Sequence, residues 1–231
     1  YIESLTNFRK FMSAARSVSR IKPIIVLKSG RSAAGARAAA SHTGAMAGED
    51  AVYDAAFKRA GIVRVDTIEE LFDCAELMAK QPRPRGPRLA ILTNGGGPGV
   101  MAMDAIEQFG LQPARLSAET MTKLDGILPA FWSRGNPIDI IGDASPERWR
   151  QAVEICAADP AIDGLVIIFI PQALSNAAAV SDAIIDYLQQ KPKFPVFAVW
   201  MGGEFVARSV YQCNSQRSST YETPEGAVAA F

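Results

Sequence analysis

The chain has 231 residues, with 24 Lys plus Arg balanced by 24 Asp plus Glu, so no net field recruits nucleic acid or an anionic membrane surface. Its length suffices for one large domain or two modest ones, each with its own core. Cys74, Cys156 and Cys213 are far apart and form no CxxC or other metal-ligand spacing, which points to reduced thiols in a cytoplasmic protein.

In chain order, Tyr1-Ile2-Glu3 reads as the end of a strand, and the chain as a fragment of something longer. Thr6 to Arg20 carries Phe8, Phe11, Met12, Ala15 and Val18 at helical spacing. Pro23 to Leu27 is a short apolar run typical of a strand buried on both faces. Glu49 to Ala60 predicts a helix with Val52, Ala55, Ala56 and Phe57 on one side, and Ile62 to Val65 another strand. Asp66 and Thr67 can cap a helix that runs to about Lys80, with Glu69 and Glu70 in its first turn, where the dipole favours acids. Residues 81–87 hold three prolines and a glycine and predict a linker.

A fuller series follows. Strands are predicted at Arg88–Thr93, Leu111–Arg115, Ile138–Ile141, Gly164–Ile170 and Pro195–Trp200, and helices at Gly99–Phe109, Ala118–Leu128, from Ser145-Pro146 onward, and at Asn176–Gln190. Thr223-Pro224-Glu225 opens one more helix. Strands alternating with helices imply parallel α/β architecture. The fold expectation is therefore two flavodoxin-like parallel-sheet domains: 1–80, the C-terminal half of one truncated at its N-terminus, and 88–231, a complete one. The longest apolar run, Leu165 to Ile170, is far too short to span a bilayer, and no signal peptide opens the chain.

Two segments carry candidate chemistry. His42, the single histidine, ends a tract from Ser29 to Gly48 in which 15 of 20 residues are Ala, Gly or Ser. So little burial gives the tract weak reason to lock into one packed conformation. Imidazole suits proton or phosphoryl transfer near neutral pH, so His42 reads either as a nucleophile on a mobile arm or as a surface histidine in an Ala-rich loop. The second segment is Thr93-Asn94-Gly95-Gly96-Gly97-Pro98-Gly99, after a strand and at a helix start. Its glycines expose N–H groups to an anion; the plainer reading is a tight βα turn. Val100 breaks the dinucleotide fingerprint, Ala36 stands where a Walker loop starting at Gly30 needs lysine, and no GxSxG occurs. One histidine without a carboxylate at helical spacing makes a poor zinc site, so no metal is expected. Asn136-Pro137-Ile138-Asp139 reads as an Asx turn or a ligand group.

Lys22 to Ser32, then Ala39-Ala40-Ser41-His42-Thr43-Gly44-Ala45-Met46-Ala47-Gly48, closely resembles the phosphohistidine segment of the NDP-forming acyl-CoA synthetases, relatives of succinyl-CoA synthetase and ADP-forming acetate–CoA ligase. Leu92 to Gly99 and Gly135-Asn136-Pro137-Ile138-Asp139 resemble the following ligase domain. The resemblance covers nearly the whole chain. It implies reversible conversion of acyl-CoA, ADP and phosphate to acid, CoA and ATP, with His42 as phosphoryl shuttle. Glu3, 39 residues upstream, matches a glutamate that fixes the histidine tautomer in relatives; by itself it reads as a solvated residue near a chain end. Ser41, Thr43 and Gly44 would belong to the phosphohistidine loop, and Asn94, Gly95, Gly96, Gly97 and Gly99 to a phosphate-binding helix start. The resemblance also implies an upstream CoA-binding domain and an ATP-grasp domain, in the same polypeptide or a partner subunit. CoA, ADP or ATP and Mg2+ would be used by the full-length protein and none bound by the fragment itself. A homodimer is compatible with it. The segment from Asn214 to Glu225 departs from relatives, so the last strand is expected to be poorly formed. A rival reading is the acyl-CoA-sensing regulatory part of a GNAT-type protein lysine acetyltransferase; the presence of His42 favours the enzyme.

Overall fold

The computed structural model describes residues 1–43, 49–173, 175–190, 192–216 and 218–231. Contacts divide the chain into two compact units, Tyr1–Glu76 and Leu77–Phe231. No helix among the described residues is long and apolar enough to cross a membrane.

In the first unit, helix α1 (Phe8–Val18) is opened by Asn7, whose side-chain oxygen accepts from Lys10 N at 2.9 Å. Strand β1 (Ile25–Leu27) follows, then α2 (Ala33–Thr43), α3 (Asp50–Ala60) and β2 (Val63–Val65). β1 and β2 pair in parallel, and Ile2 makes a further parallel bridge to Lys28. Gly61, at φ 66°, takes the left-handed conformation that turns α3 into β2. The core is small. Met12 and Ala15 of α1 meet Val26 of β1, Tyr53, Phe57 and Ala60 of α3, and Ile62. Tyr53 packs edge-on against Phe8 at 5.4 Å and Phe57 at 5.8 Å. Helix α4 (Ile68–Lys80) begins with reciprocal caps: Glu70 N donates to the Thr67 hydroxyl at 3.1 Å, and the Glu70 carboxylate accepts from Asp66 N at 2.7 Å.

Among the described residues the second unit has six parallel strands: β3 (Arg88–Thr93), β4 (Gln112–Pro113), β5 (Ile138–Asp139), β6 (Gly164–Phe169), β7 (Val196–Trp200) and β8 (Ser219–Tyr221). Their order is β4-β3-β6-β7-β8, and β5 also pairs with β3. Helices α5 (Gly96–Gln108), α6 (Ala118–Ile127), α7 (Pro146–Ala157), α8 (Ala177–Leu188), α9 (Ala207–Ser215) and α10 (Pro224–Ala230) complete it. Alternation along β3 and β6 explains the two cores. Ala90, Leu92, Ile167 and Phe169 pack with Leu124, Trp149, Val153 and Ile184. Leu89, Ile91, Val166 and Ile168 pack with Ala102, Ala105 and Ile106 of α5 and Ala227 and Val228 of α10. Each fully buried Leu or Ile contributes about 1.5–3 kcal/mol of transfer free energy. Asn136 completes the edge of β3 between its pairings with β4 and β5. Its carboxamide accepts from Ile91 N at 2.9 Å and donates to Leu89 O at 2.9 Å and Ala114 O at 3.2 Å. The Asn136 side chain thus stands in for backbone, a third role beside the Asx-turn and ligand readings.

Three local expectations are corrected. Ala33–Thr43 of the small-residue tract is helical, because alanine loses least on entering a helix even when, of the described side chains, only that of Ala39 is buried. Helix α5 starts at Gly96, three residues earlier than expected, so two of the glycines form its first turn. β8 does form, with Ser219, Thr220 and Tyr221 in register with Phe197, Ala198 and Val199 of β7. It follows α9, which the sequence reading had not placed.

Candidate active site

The described chemistry lies in two places, one in each unit. In the first, His42 sits in the last turn of α2 with its side chain 77% exposed. Its Nδ1 is 2.9 Å from Glu3 Oε2, and the other Glu3 oxygen accepts from the Tyr1 hydroxyl at 2.9 Å. Glu3 is fixed by the residue before it: Ile2 N donates to Leu27 O and Ser29 N to Ile2 O, each at 2.9 Å. The strand end and the helix end are thereby brought together across 39 residues. The hydrogen bond and charge of Glu3 raise the His42 pKa, and the His42 contact, followed by the Tyr1 hydroxyl, lowers that of Glu3. A carboxylate on Nδ1 favours the tautomer with its proton there, which leaves the Nε2 lone pair available to an electrophile. Ser41 is exposed one residue before His42, Thr43 ends the α2 backbone, and Gly44 lies outside the described residues.

Ion pairs hold both flanks of this segment. Asp50, the first residue of α3, accepts from Arg64 of β2 through both oxygens, at 2.7 and 2.8 Å. Arg31, just before α2, reaches Asp66 at 2.5 Å and Asp50 at 3.8 Å.

In the second unit, the chain adds β4 to one edge of β3 and β6 to the other, so the C-terminal end of β3 is a topological switch point, the usual place for ligands in such sheets. The turn there is tightly built. Gly95 N donates to the Thr93 hydroxyl at 3.0 Å, and Gly95, in extended conformation, caps α5. Asn94 is 2% exposed, and its carboxamide is committed to Ile170: Nδ2 donates to Ile170 O at 2.8 Å and Oδ1 accepts from Ile170 N at 2.9 Å. It therefore ties the turn after β3 to the end of β6. The glycines differ in purpose. A Cβ on Gly99 would press on Thr93 at 3.1 Å and Pro137 at 3.2 Å, whereas one on Gly97 would meet nothing within 4 Å. Of the first-turn positions after the cap, Pro98 has no N–H, so Gly96 and Gly97 supply the exposed donors. The Asp139 carboxylate lies 3.4 Å from where a Gly96 Cβ would be.

Sequence reasoning missed Tyr1, Lys28, the Asp50–Arg64 pair and the place of Asp139 beside α5. Lys28 directly follows an apolar run and is 1% exposed, although lysine is almost never fully buried unless paired. Cys74, Cys156 and Cys213 are free thiols, and burial pushes those of Cys156 and Cys213 up to about 12.

Residues 1–78 match the family described as the succinyl-CoA ligase like flavodoxin domain, and residues 89–191 the ligase-CoA domain. The chain belongs to the NDP-forming acyl-CoA synthetase family, and its relatives include ADP-forming acetate–CoA ligases. It is 41% identical over its full length to ADP-forming acetate–CoA ligase I of Archaeoglobus fulgidus, of which it spans 32%. It is 37% identical to the alpha subunit of ADP-forming acetate–CoA ligase I of Pyrococcus furiosus, of which it spans 50%. Among solved structures, the dinucleotide-forming acetyl-coenzyme A synthetase 1 of Ca. Korarchaeum cryptofilum, in complex with phosphate and ADP, superposes with a TM-score of 0.93 at 36% identity, over all of this chain and 50% of that one. The chain thus spans about a third to a half of the length of these relatives.

Proposed function

We propose that this chain is the phosphoryl-transfer core of an ADP-forming acyl-CoA ligase and that His42 is its phosphoryl shuttle. The observation that carries the reading is the 2.9 Å contact between Glu3 Oε2 and His42 Nδ1, which pairs an exposed nucleophile with a carboxylate that orients it. Acyl-CoA and phosphate first give acyl phosphate and CoA. The Nε2 lone pair of neutral His42 then attacks phosphorus; the N–P bond forms, the P–O bond to the acyl group breaks, and the carboxylate leaves. The ring is cationic while Nδ1 keeps its proton, and Glu3 stabilises that charge. Transfer to ADP restores the neutral imidazole and yields ATP.

The Gly96 and Gly97 N–H groups at the start of α5 are suited to the phosphoryl oxygens, since a helix N-terminus favours negative charge. In this reading Gly95 and Gly99 shape the turn and Asn94 holds it; Ser41, Thr43 and Gly44 are the sequence neighbours of His42 in the phosphohistidine loop. CoA and the nucleotide belong to a CoA-binding domain and an ATP-grasp domain of the longer protein or a partner subunit. Mg2+ goes in this reading with the nucleotide, in the ATP-grasp domain. We read 1–80 as the shuttle domain, 81–87 as linker and 88–231 as the second ligase domain, and place the enzyme in the cytoplasm on the strength of its unpaired cysteines. The test is to incubate the full-length protein with γ-labelled ATP. Acid-labile label on the wild type, lost in His42→Ala, is expected; a wild type that never labels, or a variant that still does, overturns the reading.

A further inference from the structure

Lys28 is among the largest fully buried side chains of the molecule, at 1% exposure. Burying an ammonium is costly unless other groups offset it. Its Nζ donates to Ser29 O and lies 4.7 Å from the centre of the Tyr53 ring, a cation–π contact. Burial lowers its pKa; among the charged groups that act on it, Asp50 of α3 and then Glu3 support the ammonium, and Arg64 of β2 opposes it. Asp50 already has Arg64 as a bidentate partner and Arg31 nearby. Glu3 is differently placed. Among the described residues its direct partners are the Tyr1 hydroxyl and His42. When His42 is neutral, as it must be to attack, no cation among the described residues touches the Glu3 carboxylate. Lys28 is a positive charge that helps, after His42 and the Tyr1 hydroxyl, to hold the Glu3 carboxyl below its usual range, and its backbone pairs with Ile2, the residue before Glu3.

We propose that Lys28 is a positioning residue for phosphoryl transfer: its buried ammonium, held over Tyr53 and paired through its backbone to the strand end bearing Glu3, keeps that carboxylate charged and in place while His42 is in its neutral, attacking form. Lys28 touches no reacting atom. It acts through Glu3, and so rests on the reading of His42 as phosphoryl acceptor.

The coupling is measurable without turnover, because linkage is reciprocal. Carbon-detected titration of the Glu3 carboxyl should move to higher pH in Lys28→Met and return in Lys28→Arg, which restores a cation. Conversely, Glu3→Gln should lower the titration of the Lys28 side chain, since the opposite charge that supports its protonated form is gone. A purely structural lysine would lower thermal stability in Lys28→Met and move neither signal. Should Lys28→Met fail to fold, the Glu3→Gln arm decides alone, as that change keeps the shape of a side chain at the end of a strand. In the full-length protein, Lys28→Met should slow label entry into His42 about five- to tenfold. Label without coupling between Glu3 and Lys28 overturns this proposal; coupling without label overturns the shuttle reading instead.

Discussion

The helix that carries His42 and the turn that opens α5 are built on opposite plans. The first stands on alanines, with Ala39 buried and the imidazole held, among the described residues, by a hydrogen bond to a carboxylate. The second grows from β3, whose Leu89 to Leu92 are wholly buried, and is cross-tied by Asn94 and Thr93. Under the proposed function this difference has a reason: a phosphoryl shuttle would need thin support, whereas an anion cradle would need donors fixed by a rigid sheet. The contrast predicts that substitutions in the first region change chemistry and those in the second change stability.

His42→Ala is the harshest trial of that division. Label should fall to background while the free energy of unfolding moves by under about 0.5 kcal/mol, as for exposed sites generally; a large loss of stability would show that the helix depends on the ring. Asn94→Ala should do the opposite, costing about 1–3 kcal/mol in denaturant melts, because Ile170 loses partners for both its N–H and its C=O. Glu3→Gln probes the junction through pH. The raised His42 pKa contributes stability fully present below the ordinary value of 6.5 and lost as pH rises through the raised value. The lowered Glu3 pKa contributes stability present above the ordinary 4.5 and lost as pH falls through the lowered value. The difference between wild type and variant should therefore peak in mildly acidic solution, at about pH 5–6. A difference independent of pH would mean that the two side chains do not share a proton in solution. Gly97→Ala should be mildest, within about 0.5 kcal/mol, because its Cβ enters open space; Gly99→Ala, which must displace Pro137 and Thr93, should cost more.

Much of this architecture was legible because buried parallel strands read as unbroken apolar runs, as Leu165 to Ile170 does. Helix starts announced themselves through Ser145-Pro146, Asn176 and Thr223-Pro224, all observed as caps. What stayed hidden needed distance or competition. Asn94 and Asn136 act on backbone 76 and up to 47 residues away, which no local pattern encodes. The α2 helix was obscured because an argument from burial was set against alanine's intrinsic preference, and the preference prevailed. Glu3 could be chosen only through family resemblance, and Lys28 had no signal, since lysine after an apolar run normally marks the surface.

The unequal burial of the three thiols has a practical outcome. Cys156 and Cys213, with pKa values pushed up to about 12, hold almost no thiolate at neutral pH and are shut inside the second unit. Cys74 on α4 is half-open, and its own pKa, raised by desolvation and by Asp73 and Glu70, makes it slow but accessible. A maleimide fluorophore applied to the native protein should therefore settle on that one position, turning α4 into a ready-made optical reporter without any engineered cysteine.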